Sequence, residues 1–83
     1  MRFRTGNSLY EVDTIGKRIR RLNGTFNPTP RQGPDGEWRE FLDILNLQES
    51  QSAIIIWGVS GDTLKTTMTS EIKEIDLLSQ ENE

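Results

Sequence analysis

Polar and apolar residues alternate in short runs along this chain, and residues that favour turns separate the runs. Arg2-Phe3-Arg4-Thr5 alternates as a strand with one buried face does, and Gly6-Asn7 then offers a tight turn. Ser8 to Asp13, with Leu9, Tyr10 and Val12, reads as a second strand. Thr14 to Leu22 reads as a third, with Ile15 and Ile19 on one face and Arg18 and Arg20 on the other. Asn23-Gly24 breaks it. The stretch from Thr25 to Gly36 holds Pro28, Pro30 and Pro34, which lack a backbone donor, so it reads as a loop or a frayed edge strand. Gly33-Pro34-Asp35-Gly36 is the clearest turn, with proline presetting φ and a glycine free to turn left-handed after it.

Glu37 to Leu47 has an ambiguous period. Phe41, Leu42 and Leu45 would suit a helical face, but two flanking turns and two large aromatics favour a strand. Gln48 to Gln51 is a polar turn. Ser52 to Gly58 carries three isoleucines and a tryptophan, the β-branched and aromatic types that fit a pleated surface, and reads as a central strand. After Gly61-Asp62, the segment Leu64 to Ile75 puts Leu64, Met68 and Ile72 on one side. Ile75 breaks the parity, which calls for a bulge or a helical turn starting near Ser70. The expected core includes Phe3, Val12, Ile19, Ile54, Ile56 and Met68.

Short strands joined by tight turns predict an all-β or β-rich antiparallel meander of five to six strands. In so small a chain the sheet must curl to cover its core, which favours an SH3-like barrel over an open sheet with one packed helix. Residues 1–75 form one β-rich domain on this reading, and 76–83 a polar tail. The 83 residues include no cysteine and no histidine, so neither disulfides nor Cys/His zinc sites can staple the fold. No run approaches a membrane span and no apolar stretch of a secretory signal follows the basic start, so a cytoplasmic protein is expected.

Charge is unevenly spread. Residues 1–39 carry eight basic and four acidic side chains, and residues 40–83 carry two basic and nine acidic, for a net −3. An acidic chain disfavours bulk DNA binding. Lys17, Arg18, Arg20 and Arg21, with Arg31 in the next loop, form the basic cluster. Arg18 and Arg20 share a strand face about 7 Å apart, a spacing suited to two phosphates, while Arg21 points away. Ion pairing with carboxylates of the neighbouring strand is the competing reading. Phe26, Pro28, Pro30, Trp38 and Trp57 are candidate docking residues, because tryptophan and arginine dominate binding hot spots; packing within the fold competes with that role.

Catalytic chemistry finds little support. No histidine can serve a serine nucleophile, and Glu37/Glu40 and Glu71/Glu74 are neighbours only by proximity. Gly58 to Thr66 lacks the glycine that precedes the lysine of a phosphate loop. Arg20-Arg21-Leu22, Pro28-Thr29-Pro30-Arg31, Asp35-Gly36-Glu37-Trp38, Thr69-Ser70-Glu71-Ile72 and Glu74-Ile75 together resemble small proteins encoded by phages and prophages. That resemblance implies no activity and transfers no functional residue, but it favours a regulator, an inhibitor of host systems or a virion accessory. The expectation is a non-enzymatic binding module without cofactor that binds a host or viral partner protein and self-associates, because Ala53, Ile55 and Trp57 alternate with Ile54 and Ile56 and one barrel hides only one set. The alternative is a small-molecule binder that holds a nucleotide-like anion through Arg18, Arg20, Arg21 and Arg31.

Overall fold

The computed structural model describes residues 1–77, and the expected tail beyond Leu77 lies outside the described residues. Seven antiparallel strands make one curled sheet: β1 (Arg2–Thr5), β2 (Ser8–Asp13), β3 (Arg18–Gly24), β4 (Arg39–Glu40), β5 (Asp43–Leu45), β6 (Ser52–Ser60) and β7 (Thr63–Asp76). Their order across the sheet is β4-β3-β2-β1-β7-β6-β5. The described residues contain no helix, so the β-rich reading stands.

The curl follows from how the sheet ends. β4 and β5 are outermost in the order, yet only Phe41 and Leu42 separate them along the chain. Phe41 N donates to Lys17 O at 2.9 Å, and Leu42 N donates to Ile56 O at 2.7 Å. The run from Arg39 to Leu45 therefore hydrogen-bonds β3 at its start and β6 at its end. The single strand expected over 37–47 is instead two short segments with a change of partner between them.

Inside the curl lie Met1, Phe3, Tyr10, Val12, Ile19, Ala53, Ile55 and Ile72. Phe3 faces Tyr10 across β1 and β2, and their rings stack with centroids 4.9 Å apart. Trp57, Phe41, Ile44, Leu47 and Ile75 pack around this cluster.

Three sequence expectations change here. Thr14 to Lys17 is a turn, not strand: the Asp13 carboxylate accepts from Ile15 N and Gly16 N, and Ile15 stands exposed at the tip instead of sharing a face with Ile19. Met68 is 67% exposed and Ile54 only half-buried; the inward members of the two strands are Ala53 and Ile55 on β6, with Thr69 and Ile72 on β7. Ile56 is buried, as expected, but outside the main core cluster.

The third change explains the second. β7 is a continuous strand: of the two alternatives the sequence left open, the bulge is present and the helical turn at Ser70 is not, and two of its register shifts add a β7 residue. One slip lies between the Ile54↔Met68 and Ser52↔Glu71 pairs, the other between Thr5↔Ile72 and Arg4↔Glu74. Each slip inserts an extra β7 residue and flips the parity beyond it. Thr69, Ile72 and Ile75 thus recur every third residue and still face inward, while Met68 faces out.

Truncating the true core should separate the two parities. Ile55→Ala is expected to lower unfolding free energy by about 2–5 kcal/mol in urea titration, and Met68→Ala by no more than about 0.5 kcal/mol. Equal effects would contradict the register.

Candidate functional site

The expected arginine site can be tested position by position. Arg18 and Arg20 do share the outer face of β3, as their spacing requires. Neither is free. Arg18 Nε lies 3.0 Å from Asp13 Oδ2, and Arg20 Nη2 lies 2.6 Å from Glu11 Oε1. Arg2 approaches the same Glu11 carboxylate at 3.6 Å, and Arg4 pairs with Glu74 at 3.5 Å. Both β3 guanidinium groups also sit on the Trp38 ring, 4.5 and 4.4 Å from its centroid. Cation–π contact at such an exposed place adds about 0.5–1 kcal/mol each.

The register completes the balance. Arg2, Arg4, Arg18 and Arg20 stand on this face opposite or beside Glu11, Asp13, Glu40, Glu74 and Asp76. Four cations thus meet five carboxylates, and the basic stretch read from the sequence is neutralised by its neighbours in the fold. Cross-strand ion pairing, the competing reading, describes this face.

Arg21 and Arg31 are elsewhere. Arg21 points inward, is 5% exposed, and grips both oxygens of Asp35 at 2.6 and 3.3 Å. Gly36 N donates to Arg21 O at 2.7 Å, so this ion pair and backbone bond fasten the 25–36 loop to β3. Gly36 takes the left-handed conformation expected of it in that turn, φ 86°. Arg31 donates to Thr66 O at 2.8 Å, from the loop to the side of β7 turned away from β6. The four arginines proposed to act together therefore divide among three environments.

The docking candidates also divide. Trp38 lies under the arginines, and Trp57 packs against the core and donates from Nε1 to Thr67 Oγ1 at 2.8 Å. Phe26 and Pro28 line a cleft between the loop and β7, and Pro30 lines an adjoining groove with Arg31. Phe26 is 67% exposed at that mouth. Burial pushes the Tyr10 hydroxyl above its ordinary range on the inner side of the same cleft.

Two features escaped the sequence reading. One is Gln32, which is buried beneath the loop although it sits in a proline-rich, polar stretch. The other is an outward apolar row. Leu45 pairs with Ile54, and Ile54 pairs with Met68, so the three side chains stand abreast on the outer face of β5, β6 and β7. Leu64 and Val59, paired and exposed, extend it along the β6–β7 hairpin. Among the described residues no group of three or more His, Cys, Asp or Glu is placed to hold a metal, and no helix is long and apolar enough to cross a membrane. No family model matches the chain, and no curated protein or solved structure matches it either.

Two measurements check this electrostatic picture. Hydrogen bonds from Gly16 N, then from Arg18, hold the Asp13 carboxyl below its ordinary value of 3.8. Its folded pKa is depressed, so its contribution to stability is present above that value and is lost as pH falls through the folded pKa. An NMR titration should show the Asp13 midpoint below 3.8, with Gly16 N–H moving in step; a midpoint at or above it would break the turn assignment. Asp35→Ala should cost about 1.5–3 kcal/mol in urea titration, because it strands the buried Arg21 guanidinium.

Proposed function

We propose that this chain is a non-enzymatic binding module that docks a partner protein on the outer face of β5–β7, an accessory protein of the phage type that its sequence resembles. The observation that carries this reading is the Leu45–Ile54–Met68 row. Single exposed apolar side chains are ordinary on a protein surface, but three abreast on adjacent strands, extended by Val59 and Leu64, form a contiguous patch. Methionine at its β7 end adapts its shape to a partner with little strain.

The rest of the surface supports this choice. The arginine face has its charges matched by its own carboxylates, so it offers an anion little uncompensated field. No histidine exists to act as a general base, and the serines lack an activating partner of that kind. The scaffold we read as a small barrel of the SH3-like kind, closed by the 39–45 run, which leaves a rigid sheet face for docking. A second copy of the chain is one partner able to present a matching apolar row, by two-fold symmetry.

A photo-crosslinking residue at position 68 should give one saturable adduct, and the same residue at position 4, on the arginine face, should give none. Ile54→Asp should weaken the association about tenfold or more, close to 1.4 kcal/mol per decade. Light scattering assigns the adduct to a second copy or to another protein. Absence of a saturable adduct at position 68, or equal labelling from both positions, would sink the proposal.

A further inference from the structure

Gln32 is 2% exposed, and neither Nε2 nor Oε1 of its side chain has a hydrogen-bond partner within the chain. Buried side-chain polar atoms are nearly always matched, because an unmatched one forfeits its hydration without return. Here both ends of one amide are unmatched. The backbone beside it is well held: Gln32 N donates to Thr29 Oγ1 at 3.2 Å, and Gly33 N to Thr29 O at 3.0 Å. The residue is therefore fixed in place while its functional group is not used by the fold. A leucine or methionine would fill such a position at less cost to stability.

Gln32 lines the cleft between the 26–32 loop and β7, with Tyr10, Arg21, Phe26, Pro28 and Thr69 among its walls. The cleft measures about 140 Å³. A cavity of about 150 Å³ accepts a benzene-sized guest, so one six-membered ring is the right scale. The amide sets the chemistry of that guest. Nε2 needs an acceptor and Oε1 needs a donor, side by side. Phosphate or carboxylate offers only acceptors and leaves Oε1 unmatched. An ammonium offers only donors and leaves Nε2 unmatched. A plain hydrocarbon ring matches neither. The one guanidinium on the walls, that of Arg21, already binds Asp35 and Ser8, so no uncompensated cation there draws an anion.

We propose that this cleft, once a small shift of the Gln32 side chain brings its closed-off amide to the wall, binds a neutral six-membered ring carrying an amide edge, the class of pyrimidine bases and ring carboxamides, through paired hydrogen bonds to Gln32. Phe26 and Pro28 at the mouth offer the apolar surface for the ring face. Met68 borders both this cleft and the β5–β7 docking row, but the two proposals stand or fall on different measurements.

The test uses the full chain, labelled with ¹⁵N, and four probes: uracil, nicotinamide, benzene and inorganic phosphate. Uracil or nicotinamide at millimolar concentration should shift the Gln32 side-chain NH₂ resonances saturably, and benzene and phosphate should not. Gln32→Met should weaken binding of the same ring about tenfold or more, read from the backbone amide shifts of the cleft residues, while raising the melting temperature of the free protein, since it removes two unmatched buried atoms. Gln32→Glu, which keeps the shape but loses the NH₂ donor, should weaken binding by the same backbone readout, and it serves if the methionine variant does not fold. The proposal is overturned if neither amide ring shifts Gln32, if benzene binds as well as they do, if the substitutions leave binding unchanged, or if the amide protons contact only solvent water.

Discussion

Everything in this molecule depends on β7 changing partners partway along its length. Its first part, to Glu71, pairs with β6, and Ile72 onward pairs with β1. A strand of strict two-residue parity could not turn its apolar side chains to the interior along both pairings. The two register slips around Ser70 and Lys73 bend and twist the strand, as extra residues in one strand do. They also keep Thr69, Ile72 and Ile75 on the concave side, where Ile72 joins Phe3 and Ile55 in one core. The β1–β3 hairpins and the β5–β6 hairpin are thereby two walls of a single interior.

The same geometry decides where charge goes. Antiparallel pairing sets residues of adjacent strands directly opposite one another, so the outer positions of β1 to β3 meet as Arg2–Glu11–Arg20 and Asp13–Arg18. A segregated sequence becomes a mixed surface once folded. The outer face of β5 to β7 receives no such matching, since Leu45, Ile54 and Met68 meet there instead. One sheet thus has a polar outer half and an apolar outer half, and that contrast carries the functional proposal.

Strand existence was legible in the sequence wherever alternation was strict, as in Arg2 to Thr5 and Ser8 to Asp13. The Gly33-Pro34-Asp35-Gly36 turn was legible too, because proline and glycine act through their own backbone preferences. Parity past Met68 was not, because a bulge leaves no fixed residue signature and reverses every later assignment. The break of the 37–47 run at Phe41-Leu42 follows from closure of the sheet, a non-local demand. For the candidate sites, spacing placed Arg18 and Arg20 together and turned Arg21 away, as found. It could not supply Glu11 and Asp13 as their neighbours without the register. Gln32 offered no signal at all: glutamine in a proline-rich stretch reads as exposed, and only the docking of the loop onto β3 through Arg21 and Asp35 buries it.

The 25–36 loop also bears on how this chain avoids sticking to itself. The side of β7 turned away from β6, before β1 takes over, offers backbone groups on which a stray strand could grow into a fibril seed. Arg31 occupies one of those carbonyls, at Thr66, with its side chain. Pro28 and Pro30, lacking N–H groups, prevent the loop itself from becoming the next rung of such a ladder. A segment that reads as a mere linker thus acts as a gatekeeper, covering the margin of β7 while refusing to extend it.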